Sequence, residues 1–102
     1  IQMMLADMQI GTEAGRQLVF GAMRLLDSGV KRVSMEASCA KTFCSDNAVK
    51  VTTDAVQIFG GYGYSKEYPV EKMMRDSKIF QIFEGTNQIQ RLVVSRELAK
   101  LY

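Results

Sequence analysis

Two long stretches with apolar residues in steps of three and four limit what this chain can fold into. Residues 3–27 carry Met4, Met8, Gly11, Gly15, Leu18, Ala22 and Leu25 along one face, widened by Leu5, Val19, Phe20, Met23 and Leu26. Residues 32–59 carry Val33, Ala37, Ala40, Cys44, Ala48, Val51, Ala55 and Ile58 in the same rhythm. That period predicts two amphipathic helices. Asp27-Ser28-Gly29 ends the first, with Gly29 suited to a left-handed position just past a helix. Gly11, Gly15 and Gly21 each weaken a helix by up to ~1 kcal/mol relative to Ala, and they allow a neighbour to come close. Arg32, Lys41, Asp46, Lys50 and Asp54 lie off the second stripe and read as a solvated face. Thr52 and Thr53 fall mid-helix, where their hydroxyls can bond back to the preceding turn.

The remaining residues, 60–102, read as shorter pieces. Three Gly in four residues, within Gly60-Gly61-Tyr62-Gly63-Tyr64-Ser65, break the second helix. They predict either left-handed turns or a close approach of backbone to something. The pattern is not that of a dinucleotide fold or a P-loop. Pro69, with Glu71 behind it, opens a third helix to about Ser77, supported by Glu71 and Arg75 at i,i+4. Residues 79–85 read as extended or irregular. Thr86 or Asn87 then caps a last helix to about Leu101, with Ile89, Leu92, Val93 and Leu98 inward. The expectation is an all-α fold, an antiparallel four-helix bundle, forming one domain over residues 1–102.

Glu84 stands out. An apolar run, Ile79-Phe80-Gln81-Ile82-Phe83, stops at this single carboxylate, and Gly85 and a capping Thr86 follow at once. An acid at such a joint is either a solvated loop residue or a catalytic base. Other chemistries find little support. The chain has no His, and its two Cys, Cys39 and Cys44, sit about 140° apart on a helix, so neither a metal site nor an internal disulfide is expected. Both read as buried thiols of a reducing compartment. A net charge of +2 without a basic block does not point to nucleic acid. No apolar run is long enough to span a membrane. The chain begins at Ile1 rather than Met and reads as a piece of a longer protein.

Four segments, taken together, resemble the C-terminal domain of acyl-CoA dehydrogenases. They are Asp54-Ala55-Val56-Gln57-Ile58-Phe59-Gly60-Gly61-Tyr62-Gly63-Tyr64, Glu67-Tyr68-Pro69-Val70-Glu71, Met74-Arg75-Asp76, and Phe83-Glu84-Gly85-Thr86-Asn87-Gln88-Ile89-Gln90-Arg91. They occur in the family's order and spacing, and the resemblance covers essentially the whole chain. It implies the third part of a longer enzyme, here without the N-terminal helical domain, the middle β-domain and the first bundle helix. The implied reaction is α,β-dehydrogenation of an acyl-CoA thioester. A carboxylate takes the α-proton while the β-hydrogen leaves as hydride to flavin N5, and electrons pass on to electron-transferring flavoprotein.

The resemblance also implies roles. Glu84 matches the base of the short- and medium-chain branches. A weakly acidic α-proton calls for a base in dry surroundings, which Phe80, Ile82 and Phe83 can provide. Gly85 lets the backbone pass close to thioester and flavin. The Glu84 N–H matches the donor that polarises the thioester carbonyl, together with a ribityl hydroxyl of FAD. Thr86 and Gln88 match FAD contacts near the pyrophosphate, where a helix N-terminus suits an anion. Gln57, Gly60 and Gly61 match a loop against FAD held largely by a neighbouring subunit, while Tyr62 and Tyr64 fit either an interface or a cofactor contact. Arg96 matches a basic residue near the CoA moiety, although by spacing alone it reads as a solvated helix residue. Arg75 and Asp76 read as a structural pair. The polar Asn87 and the general run of residues 62–97 lean the reading towards a short acyl chain such as butyryl-CoA. The implied assembly is a homo-oligomer, dimer or tetramer, in bacterial cytoplasm or mitochondrial matrix. The other reading is a non-catalytic bundle that serves only in assembly.

Overall fold

The structure, a computed structural model, describes all residues 1–102. Helix α1 (Gln2–Asp27) and helix α2 (Ser34–Phe59) are joined through Gly29, whose φ of +94° is the left-handed turn expected there. A single helical turn, α3 (Gly61–Tyr64), precedes α4 (Pro69–Lys78), and α4 runs directly into a 3-10 turn (Ile79–Gln81). The last helix is α5 (Asn87–Leu101). No strand forms. Residues 79–81 are therefore tightened helix rather than extended chain, and the irregular part shrinks to residues 82–86.

α2 is the axis of the fold, and α1, α4 and α5 all run antiparallel to it. Gly11 faces Asn47 while Gly15 faces Cys44. Ser77 bonds Thr52 at 3.0 Å while Gln81 reaches Asp46 at 2.9 Å. Arg91 pairs with Asp46, while Glu97 lies 3.8 Å from Arg32, just before α2. The expected small-residue contact is real at Gly15, where a Cβ would come within 3.0 Å of the Cys44 sulfur. At Gly21 it is not, since nothing lies near that position. Both thiols are free and half-buried rather than buried, and the Cys44 thiol is pushed up by desolvation.

The glycine segment divides between the two expected alternatives, a left-handed turn and a close approach of backbone. Only Gly60 has positive φ, +66°, and Gly61 and Gly63 are helical. Gly63 is required for space. A Cβ there would lie 2.5 Å from the Val56 carbonyl oxygen and 2.8 Å from the Phe59 Cβ. Backbone cannot yield as a flexible side chain does. Gly63→Ala is expected to destabilise the protein by about 1–3 kcal/mol, measured by urea unfolding. Gly61→Ala, which meets open space, should change stability by less than about 0.5 kcal/mol.

The helices cover one another incompletely. Only nine residues are buried, and no large side chain is fully enclosed. Ile89 and Leu92, expected inward, are half exposed because α5 meets the rest of the fold along one side only. Leu98, also expected inward, is 42% exposed and lines with Val94 a groove among α1, α2 and α5. Within α4, the buried Glu71 holds Arg75 as expected. Asp76 does not pair with Arg75 but lies 3.4 Å from Lys72. No helix is long and apolar enough to cross a membrane.

Candidate active site

Glu84 occupies the tight turn between the 3-10 segment and α5, with φ at +54°, the only non-glycine residue in the chain with positive φ. Gly85 follows at +81°. Two successive left-handed residues reverse the chain and aim the Glu84 carboxylate outward, and its side chain is exposed. For a non-glycine residue this conformation costs on the order of 1 kcal/mol or more, so something outside the turn must hold it.

The ties come from three directions. Gln90, a turn into α5, donates to the Glu84 carbonyl oxygen at 3.0 Å. Lys41, on α2, donates from Nζ to the Gly85 carbonyl oxygen at 2.8 Å and to Asn87 Oδ1 at 2.5 Å. Asp46, also on α2, accepts from Gln81 before the turn and from Asn87 and Arg91 after it, at 2.9, 2.6 and 2.7 Å. The turn is thus bracketed at both ends by one helix.

Asn87 is the centre of this bracket and is 3% exposed. Its amide orientation follows from chemistry. Lysine has only donors, so Oδ1 must face Lys41, and ionised Asp46 has only acceptors, so Nδ2 must face Asp46. Nδ2 also meets Ser45 Oγ at 2.8 Å, and the Ser45 hydroxyl itself donates to the Lys41 carbonyl oxygen. Partial burial pushes the Asp46 carboxyl upward, but the donors from Arg91, Asn87 and Gln81 outweigh it and hold the group below its ordinary range. Lys41 and Asp46 are therefore not members of a solvated face. Nor does Asn87 report on acyl length, because its side chain is consumed by α2.

Thr86 caps α5 as expected, its hydroxyl accepting from the Ile89 N–H at 3.2 Å. The N–H groups of residues 84–88 have no acceptor in the chain. Five consecutive free donors at the start of a 15-residue helix form a positive, anion-ready end. A polar pocket of about 250 Å³ adjoins them, lined by Thr86, Gln88, Lys78 and Arg91 among others. On another side of the turn lies an apolar pocket of about 280 Å³, lined by Phe80, Phe83, Cys44 and Ala48. Phe80 and Phe83 meet edge to face with ring centroids 5.5 Å apart.

The fold brings Glu84, Gly85, Thr86 and Gln88 together and leaves the other candidates apart. Gln57, Gly60 and Gly61 lie at the far end of α2, with Gln57 about 16 Å along the helix from Asp46. Arg96 is exposed, about 15 Å along α5 from Thr86. Tyr62 and Tyr64 are exposed at the glycine end. The bracket itself was absent from the expectations. Its one trace in the sequence is the i,i+4 spacing of Asn87 and Arg91, which presents two donors on one helical face to a shared acceptor.

The chain is 55% identical over 98% of its length to cyclohexane-1-carbonyl-CoA dehydrogenase of Geobacter metallireducens. It is also 55% identical, over 96% of its length, to acyl-CoA dehydrogenase of Bacillus subtilis. The solved structure of butyryl-CoA dehydrogenase from Megasphaera elsdenii superposes with a TM-score of 0.91 over 96% of this chain and 25% of that one, at 51% identity. The chain spans about a quarter of the length of the curated relatives it matches, 26% in both cases. Residues 1–99 match the family described as acyl-CoA dehydrogenase, C-terminal domain. The chain therefore belongs to the acyl-CoA dehydrogenase family, within that family's C-terminal domain.

Proposed function

We propose that this chain is the part of an FAD-dependent acyl-CoA dehydrogenase that carries the α-proton-abstracting base, Glu84, and acts on short- or medium-chain acyl-CoA thioesters. The observation that carries this reading is the turn itself. An exposed carboxylate is held in a left-handed conformation at the first of five consecutive unpaired backbone donors. In this reading Glu84 takes the α-proton, and its own N–H polarises the thioester carbonyl as negative charge develops on oxygen. Gly85 keeps the passage beside the base free of side chain. Thr86 and Gln88, at the positive start of α5, would hold the FAD pyrophosphate region, which the free N–H groups suit. FAD, when bound, supplies the acceptor for the β-hydride.

Gln57, near the end of α2, and Gly60 and Gly61 just beyond it stand at the opposite end of that helix from the turn. By resemblance this loop contacts FAD held largely by a second subunit, which makes the full-length enzyme a homo-oligomer, dimer or tetramer. Arg96 would reach the CoA moiety beyond the turn. Electron-transferring flavoprotein as electron acceptor, and bacterial cytoplasm or mitochondrial matrix as location, accompany this reading by resemblance. Chain length is not written in this domain, for relatives named for cyclohexane-1-carbonyl-CoA and for butyryl-CoA resemble it about equally.

The test is anaerobic mixing of the full-length flavoprotein with a series of saturated acyl-CoA thioesters. Flavin absorbance should bleach with at least one short- or medium-chain member. A flavoprotein that no acyl-CoA bleaches overturns the reading. The exposed apolar surface favours a second role for the 102 residues alone, as an assembly module without activity of its own.

A further inference from the structure

We propose that Lys41, Asn87 and Asp46 are positioning residues that set the place of Glu84, an inference that rests on Glu84 being the base. The geometry carries it. The two carbonyls of the Glu84–Gly85 segment are both tied, one by Gln90 and the other by the Lys41 ammonium. Asn87 links Lys41 to Asp46 through opposite ends of one amide. Asp46 also receives Gln81, which fixes the entry to the turn as Lys41 fixes its exit.

The turn needs such outside support. A glutamate at φ +54° is strained, and with its carbonyls free it relaxes towards negative φ. That rotation swings the carboxylate away from a substrate whose α-carbon stays where the rest of the site puts it. A displacement near 1 Å can cost about 100-fold in rate. Lys41, Asn87 and Asp46 touch no reacting atom, and they act only through the backbone of the base.

The experiment uses the full-length flavoenzyme, with turnover counted per bound flavin. Lys41→Met removes the donor to Gly85, and Asn87→Leu removes the link between Lys41 and Asp46. Each is expected to lower kcat about 10- to 100-fold, with KM changed less than about threefold. The isotope effect with α-deuterated acyl-CoA should rise, since proton removal becomes slower than the other steps. Lys41→Arg, which keeps a donor at that place, should recover most of the loss. Wild-type turnover per flavin in both Lys41→Met and Asn87→Leu overturns the proposal. So does loss of flavin from Lys41→Met and Lys41→Arg alike, because the lysine is then a support for folding rather than for the base. Glu84→Gln is the control. If it turns over like wild type, the assignment of the base fails. If it is inactive while the Lys41 and Asn87 variants are unaffected, only the positioning role fails.

Discussion

Glu84→Gln in the full-length flavoprotein is expected to lower dehydrogenation by about 10²–10⁴-fold while leaving FAD in place. Glutamine keeps the length, shape and hydrogen-bonding reach of glutamate, but its amide cannot take a proton from carbon. The left-handed turn should survive, because the bonds that hold it go to the Glu84 and Gly85 carbonyl oxygens and not to the carboxylate. The free N–H groups of residues 84–88 also remain, so a cofactor phosphate would keep its partners. The measurement is steady-state turnover beside the flavin absorbance spectrum. Near-wild-type turnover would remove Glu84 as the base, whereas inactivity with flavin lost would show that the side chain supports the cofactor instead.

The isolated 102-residue polypeptide is expected to self-associate, or to lack a cooperative melting transition. Its accessible surface is 7333 Å², against about 5,800 Å² for a self-contained folded monomer of its mass. The excess, about 1,500 Å², is nearly twice what one partner contributes to a standard protein interface. Its radius of gyration is 16.0 Å, against about 13 Å for a compact chain of this length. Much of the uncovered surface is apolar, with Ile10, Phe20, Met23, Phe59, Ile89 and Leu92 among the exposed side chains. Surface on this scale calls for cover from other protein. Sedimentation velocity with thermal unfolding checks this. A stable, monodisperse monomer that melts cooperatively would contradict it.

Much of the fold was legible because it rests on local periodicity. The stripes of α1 and α2, the stop at Gly29, Pro69 at the start of α4, the Glu71–Arg75 pair and the Thr86 cap all depend on residues within a turn or two of one another. The misses share a different cause. Ile89 and Leu92 looked inward because an apolar residue on a helix usually finds a partner, and here the partner surface is absent from this chain. Gly63 read equally as a turn or as a close approach, and only the packing of α3 against the end of α2 decides for the close approach. Lys41 and Asp46 looked solvated because nothing within α2 pairs with them.

The sequence alone determined the helices, the joint at which Glu84 stands, and, through coupled motifs, the family. It did so because helix period, capping and turn chemistry act between near neighbours. The tertiary structure decided how that joint is held. Lys41 and Asn87 are 46 residues apart and meet at 2.5 Å only because α5 folds back along α2. Pairing across such a separation is set by where helices pack, and no local rule of the chain encodes it. The carboxylate was readable from one stretch, but the strained backbone that aims it is maintained by a helix some forty residues away.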